Sequence, residues 1–309
     1  MRRRFDVLCA GDMCVDLLLR GDVRPRFGQV EQIIEDYRLE LGGSSNIFAS
    51  QFAKLGGSVC VIGWVGADAF GDAVVAKLAD AGIDISLVRR SAALKTGLGV
   101  ALTEQNDRAI LTYLGTIDAI GPEDLDGRLL TSCKHWHVAS YFLMNRVRSC
   151  WPRWFAECRA ANVTTSLDPN WDPEERWDRL WDVLPLIDVF LPNEAEAIAI
   201  AAEDSLETAG EKLASACGVV VVKRGAEGAI AFAAGRRYEA PRPLLEAPAV
   251  DTVGAGDNFD AGFLRGWLLG WDIPRSLELA THCAVASLAA PGGVENQLRG
   301  FGAGGTSDD

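Results

Sequence analysis

Asp251-Thr252-Val253-Gly254-Ala255-Gly256-Asp257-Asn258-Phe259-Asp260-Ala261-Gly262-Phe263-Leu264 is the stretch around which the rest of the chain can be ordered. Glycines 254 and 256 permit a tight turn and close approach of the backbone to a ligand. The residues from 255 to 270 have helical length and period. A helix opening on such a turn offers free N–H groups and the positive end of its dipole, which together suit an anion. Asp257, in the first turn, is placed to stay ionised beside a phosphoryl group and to take a proton from an attacking hydroxyl. The same pattern also fits a plain helix start with Asp257 as its cap.

Upstream, short continuous apolar runs alternate with longer helical stretches. Strands are expected at 5–10, 58–64, 135–139, 163–167, 188–191 and 219–222. Helices are expected at 45–55, 72–81, 150–161, 193–202, 205–216 and 255–270. This alternation predicts an α/β fold, a mostly parallel sheet covered by helices on both faces. Such sheets bind ligands beyond the carboxyl ends of their strands.

Polar clusters fall at those ends. Gly11-Asp12-Met13-Cys14-Val15-Asp16 follows the first strand with two carboxylates, and Asp168-Pro169-Asn170 ends a later one. Leu41-Gly42-Gly43-Ser44-Ser45-Asn46 precedes a helix, with an amide able to bond hydroxyls. Carboxylates and amides are what a polyhydroxylated ligand needs, because each desolvated hydroxyl requires a partner. Asn193, Glu194 and Glu196 open another helix and suit a hard cation held through water, or simply cap that helix. Lys223 to Gly228 offers positive charge and two glycines, or a hairpin turn with solvated charges.

Two segments break the alternation. Residues 28–41 and 96–113 read as exposed antiparallel strands, the second pair joined by a turn at 104–107. They predict a small accessory sheet with an apolar face that something must cover. Residues 302–309 read as a flexible polar tail.

Composition narrows the function. The chain has 309 residues, 30 basic against 43 acidic, for a net charge of −13. That balance speaks against nucleic-acid or anionic-membrane partners. With 49% apolar and 24% charged residues it reads as a globular protein, and no run is long enough to span a membrane. No leader pattern is visible, so a cytoplasmic location is expected. Eight scattered cysteines without a C-x-x-C pair read as reduced core thiols, and His135 and His137 as structural. No G-x-G-x-x-G follows the first strand and no Walker motif appears, which sets a Rossmann oxidoreductase aside.

Residues 42–46, 55–56 and 63–71 resemble the first signature of the ribokinase/PfkB carbohydrate kinases, and 251–264 is similar to their second. The segments keep the family order from about residue 5 to 295. The resemblance implies a ribokinase-like kinase domain over 1–301, with a β-sheet lid from about 17–41 and 96–116. It implies ATP-dependent transfer of the γ-phosphoryl group to a hydroxyl. Asp257 would be the base, and Gly254, Ala255 and Gly256 the anion hole. Asn193, Lys223, Gly225, Gly228 and His282 would meet the nucleotide; Lys223 is an unusual residue at its position, facing phosphate or solvent. Glu196, Glu194 and Asn193 would organise Mg2+ through water, with main-chain oxygens at Asp251 and Val253 for a K+ ion. Asp16, Asp12, Gly42, Gly43, Asn46 and Arg108 would bind the acceptor.

The glycine loop lacks the lysine that several relatives carry after it, which favours a non-phosphorylated sugar, since a second phosphate needs a cation. Nucleoside, inositol and sugar-phosphate acceptors stay open, as does a non-catalytic sensor of sugar or nucleotide. Lids of two subunits packing together would make a homodimer.

Overall fold

The computed structural model describes residues 3–104, 107–245 and 247–300. Nine strands form one sheet in the order β13-β12-β11-β10-β9-β8-β1-β4-β5. They are β1 (Phe5–Ala10), β4 (Val59–Gly66), β5 (Asp84–Ser91), β8 (Cys133–Val138), β9 (Thr164–Leu167), β10 (Val189–Phe190), β11 (Val219–Lys223), β12 (Ala229–Ala233) and β13 (Arg236–Ala240). All neighbours from β5 to β11 pair in parallel, and β12 and β13 add an antiparallel hairpin. The longer helices are α1 (Ser44–Lys54), α2 (Ala69–Asp80), α3 (Trp151–Ala160), α4 (Glu194–Ala201), α5 (Leu206–Ala216), α6 (Ala255–Leu268) and α7 (Ile273–Ser287).

The reason for two helical layers is visible in β1. Successive side chains point to opposite faces, and both faces are apolar. Leu8 and Ala10 join a core with Trp136, Trp154 and Phe155, under α3, α4 and α5. Val7 and Cys9 join a second core with Phe48, Phe52, Phe259 and Phe263, under α1, α2, α6 and α7. The eight cysteines are free, seven of them buried. His135 and His137 are buried and both bond the Ser166 hydroxyl, at 2.7 Å each, so they hold the sheet together internally.

A second sheet of four strands, order β3-β2-β6-β7, stands over the carboxyl end of the first. It comprises β2 (Cys14–Arg20), β3 (Asp36–Gly42), β6 (Gly97–Glu104) and β7 (Asp107–Tyr113). Its register sorts the side chains. Asp16, Gly99 and Thr112 share one face, while Leu17, Leu39, Val100 and Leu111 share the other. Leu18 and Ala101 pack on Val253, which ties this sheet to the turn before α6.

Several expectations need correction. The alternation at 28–35 does not make a strand: Gly28 and Gln29 both adopt positive φ, and the strand begins only at Asp36, where β2 offers a partner. The sequence reading did not separate β2 from the following segment, and it missed β5, a half-exposed edge strand, and the β12–β13 hairpin. The turn residues Gln105 and Asn106 and the tail 302–309 lie outside the described residues.

Helices α6 and α7 approach closely because Gly262 has no side chain. A Cβ there would stand 2.8 Å from Ala280 Cα and 3.0 Å from the Leu279 carbonyl oxygen. Gly262→Ala is therefore expected to cost about 1–3 kcal/mol of stability, read by urea unfolding. Gly127→Ala, where a Cβ meets nothing within 4 Å, should stay within about 0.5 kcal/mol of the parent.

Candidate active site

Two cavities meet at the N-terminus of α6. One, of about 490 Å³, lies between the small sheet and the strand ends; the other, of about 390 Å³, lies between the β11–β12 turn and α7. Lys223, Thr252 and Gly256 border both. Gly254 makes the junction possible by adopting φ 73, a left-handed conformation that glycine accepts without strain. No side chain caps α6, so its first-turn N–H groups remain available to an anion at the junction.

Asp257 stands on that first turn and faces the first cavity. Burial pushes its carboxyl up to about 8, with the Asp168 and Asp12 carboxylates adding to the effect, while Lys223 and the Ser44 hydroxyl oppose it. This corrects the expectation that Asp257 stays ionised: burial outweighs its place at the helix start, and the carboxyl takes a proton readily and loses it again near neutral pH.

Beneath it lies a buried ionic cluster. Lys223 ends β11, and its Nζ lies 2.9 Å from Asp168 Oδ2 and 3.1 and 3.2 Å from the two oxygens of Asp260. Lys223 therefore points neither to solvent nor loosely into the cavity. Burial acts against its charge, but the Asp168 and Asp260 carboxylates hold it above the ordinary lysine value. Burial likewise raises Asp168, yet Lys223 and the Asn170 N–H keep it below the usual carboxylate value. Burial leaves Asp260 well above it. The two acids share one cation, and Asp260 is the one that holds a proton more readily.

The wall of the first cavity is built from loop ends. Asp12 accepts from the N–H groups of Ser44 and Ser45 at 3.1 and 3.2 Å, so it serves the start of α1. Burial raises its carboxyl despite those bonds. The Asp16 carboxylate lies against Gly42 and Gly99, where any Cβ would collide with it. Asn170 donates to the Ser44 hydroxyl at 2.9 Å and accepts from the Ser140 N–H at 2.9 Å. Trp171 flanks the opening, and Ile110 and Thr112 of β7 close it from above.

Asn193 and Glu196 form a reciprocal cap of α4. Asn193 Oδ1 accepts from the Glu196 N–H at 2.9 Å, and Glu196 Oε2 accepts from the Asn193 N–H at 2.8 Å. Both residues still border the first cavity. Burial pushes Glu196 up to about 7, with Asp168 adding to the effect. Gly225, Ala226 and Gly228 form one wall of the second cavity; Phe259, Ala284, Val285 and Leu288 supply its apolar end, with Arg242 and Thr281 beside them. Among the described residues no cluster of three or more His, Cys, Asp or Glu could hold a metal alone. A hard cation here would need phosphate and water ligands as well, which outer contacts from Asn193 and Glu196 allow.

Not every expected residue joins the site. Gly42 and Asn46 lie behind the wall: Asn46 is fully buried and donates to the Gly42 carbonyl at 2.7 Å, so it shapes the turn that receives Asp16. Glu194 points away from both cavities, 3.7 Å from Arg224, because it follows the capping residue on the outer side of the helix. His282 is exposed, bonds the Glu278 carbonyl at 2.8 Å and borders an adjoining cavity with Thr281 and Arg242, which are the two that also border the second cavity. The Asp251 carboxylate accepts from the N–H groups of Val253 and Gly292, at 3.0 and 2.9 Å, bracing the turn before α6; its main-chain oxygen, the one expected to hold K+, takes no part in those two bonds. Arg108, on β7, pairs with Thr103 of β6, and its side chain lies outside the described residues. Conversely, Asp260, Arg242 and Trp171 were not singled out. For Asp260 a signal existed: three residues after Asp257 on a helix, it shares that face.

Comparison with known proteins gives a consistent outcome. The sequence pattern described as pfkB family carbohydrate kinase matches residues 4–298. An ATP-dependent ribose-1-phosphate kinase of Halopiger xanaduensis is 33% identical over 291 residues, covering 93% of each chain. A fructoselysine 6-kinase of Escherichia coli is 28% identical, covering 90% of this chain and 95% of that one. The crystal structure of a candidate ribokinase II from E. coli, in complex with ATP and Mg2+, superposes with a TM-score of 0.83 at 26% identity, covering 96% of both chains.

The environment of Asp257 also has a consequence for stability. Its folded value of about 8 exceeds the ordinary 3.8, so the folded state binds the extra proton and loses stability as pH rises through that interval. Asp257→Asn is expected to melt above the parent at pH 8.5, with the gap narrowing toward pH 5 in a thermal-unfolding series.

Proposed function

The chain belongs to the pfkB family of carbohydrate kinases and carries the ribokinase-like fold. It transfers phosphoryl groups from ATP to a sugar-like acceptor. Within that activity we propose that the acceptor is a neutral, non-phosphorylated sugar, held by Asp16 with Asp12 and Gly43 behind it. The observation that carries this reading is the charge of the acceptor cavity. Asp12, Asp16, Asp168 and Asp257 border it, and among the described residues its one basic side chain, Lys223, stands at the junction with the second cavity, on the side where the ATP phosphates would run. A phosphorylated acceptor would bring a second dianion into this wall without a cation to meet it.

The geometry suggests the order of events. The base of ATP takes the apolar end of the second cavity, and its phosphates run along Gly225, Gly228 and Lys223 to the N-terminus of α6. The acceptor hydroxyl lies beside Asp257, which takes its proton as the oxygen attacks the γ-phosphorus. The bond to the β-phosphate oxygen breaks, and the N–H groups at Gly254, Ala255 and Gly256 bear the charge spread over the transferring group. Such a loose transition state gains more from fixed dipoles and alignment than from proton removal. Mg2+ would neutralise phosphate charge, with Asn193 and Glu196 holding its waters; the main-chain oxygens around Asp251 and Val253 are the place for K+. The small sheet acts as the lid that excludes water from the transfer.

The lid also supports a homodimer. Its outer face carries Tyr37, Leu39, Leu111 and Tyr113, exposed by 67, 39, 59 and 50%, an apolar surface of the kind that marks an interface. We place the enzyme in the cytoplasm, a reading supported by its free buried thiols and by the lack of any helix, among the described residues, able to cross a membrane.

The deciding experiment is ADP release with ATP and Mg2+ across free sugars, sugar alcohols, nucleosides and sugar phosphates including ribose 1-phosphate, with and without K+. A free sugar should give the highest kcat/KM; preference for a phosphorylated acceptor would overturn the acceptor assignment. Asp257→Asn should lower kcat by about 10²–10⁴-fold while nucleotide affinity holds. The parent's kcat/KM should fall on acidification with an apparent pKa near 8, since the base must be unprotonated. Asp16→Ala should raise the acceptor KM and leave ADP binding unchanged. Leu111→Lys should shift a dimer to monomer in light scattering, and an unaltered mass would remove the lid from the interface.

A further inference from the structure

Lys223 is held from three directions. Its backbone N–H donates to the Pro192 carbonyl at 3.0 Å, fixing the end of β11. Asp168 reaches it from the end of β9, and Asp260 from the second turn of α6. Its ammonium also lies against the anion-binding turn: a Cβ on Gly256 would stand 3.6 Å from Nζ, an ordinary van der Waals contact. The side chain thus sits where the two cavities join.

A lysine of this kind is normally a flexible point charge that loses much rotamer freedom when it binds. Here the two carboxylates have removed that freedom in advance. An ammonium has three N–H donors. Asp168 takes one, and the paired oxygens of Asp260 can share a second, which leaves the third for an anion arriving at the junction. The group that arrives there is the one at the α6 N-terminus, the terminal phosphoryl, whereas the inner phosphates lie toward Gly225 and Gly228.

Resting on the reading of this site as the ATP-dependent transfer centre, we propose that Asp168 and Asp260 preset the Lys223 ammonium as a clamp for the γ-phosphoryl group. Lys223 touches that group, and Asp168 and Asp260 are positioning residues that act through it. The lysine keeps its proton throughout; the hydroxyl proton goes to Asp257, and the electron pair of the broken P–O bond leaves with ADP. The clamp contributes a hydrogen bond that strengthens as charge spreads over the γ-oxygens.

The test compares binding of Mg–ADP with that of the Mg complex of AMP-PNP, the imido analogue of ATP that keeps the γ-group, by isothermal titration calorimetry. Lys223→Met should weaken the analogue by about tenfold or more, the worth of one charge-assisted hydrogen bond, and ADP by less than about threefold. Its kcat should fall by about 10²-fold, with the acceptor KM held within about threefold. Asp260→Asn, which preserves shape, should show the same pattern at smaller size, about tenfold in kcat. It supplies the comparison even if the lysine variant does not fold. Equal losses for both nucleotides would overturn the proposal, as would a drop in melting temperature with kcat and the nucleotide ratio unchanged. Nucleotide binding needs no acceptor, so failure of the acceptor assignment would leave this comparison intact.

Discussion

The structure depends on one helix start left without a side-chain cap. Gly254 turns the chain left-handed, α6 begins at once, and its first N–H groups face the junction of two cavities. Most helices satisfy such groups with a Ser, Thr, Asp or Asn, and four other helices here do so: α2 through Asp68, α4 through Asn193, α5 through Ser205 and α7 through Asp272. Leaving α6 open keeps an anion site at the cost of an exposed dipole end. The neighbouring structure braces this turn. Asp251 bonds both Val253 and Gly292, Asn258 bonds the Gly254 and Gly293 carbonyls, and Leu18 and Ala101 pack on Val253.

A site that binds polyanions has a charged lining made here mainly of carboxylates, an arrangement that works only because their charges are managed. Burial raises Asp12, and burial together with repulsion from Asp168 raises Asp257 and Glu196, which limits how much negative charge meets the incoming phosphates. Lys223 neutralises part of the remainder, and Asp168 and Asp260 divide it unequally. Removing a single partner from such a buried group exposes the others to an uncompensated charge, so these residues are better read as a set than one by one.

The small sheet shows how one pair of strand faces can do two jobs. In β2 the side chains of Leu17 and Leu19 face outward and those of Asp16 and Leu18 inward; their partners follow, Val100 and Leu111 outward, Gly99, Ala101 and Thr112 inward. A shift of one residue in register would reverse all of these at once. Gly99 and Gly42 in the neighbouring strands leave the room that the Asp16 carboxylate occupies.

The parallel core was legible in the chain because buried strands read as continuous apolar runs, and β1, β8, β9 and β11 fell close to where the runs placed them. The helix start at Gly254–Asp257 was legible too, since glycine spacing and the following period are local features. The strands missed, β5 and the β12–β13 hairpin, owe their form to edge positions and to partners supplied by the rest of the sheet, which local pattern does not record. In the site, the sequence named Asp257, Asp16 and Lys223 but not what surrounds them. It had no means to show that Asn46 turns inward to Gly42, that Thr281 and not His282 meets the second cavity, or that Lys223 spans to Asp168 and Asp260, residues 55 and 37 positions away. Turn chemistry and hydrophobic period are written along the chain. Which charges meet, and therefore which protonation states the site adopts, is decided only when β9, β11 and α6 are brought side by side.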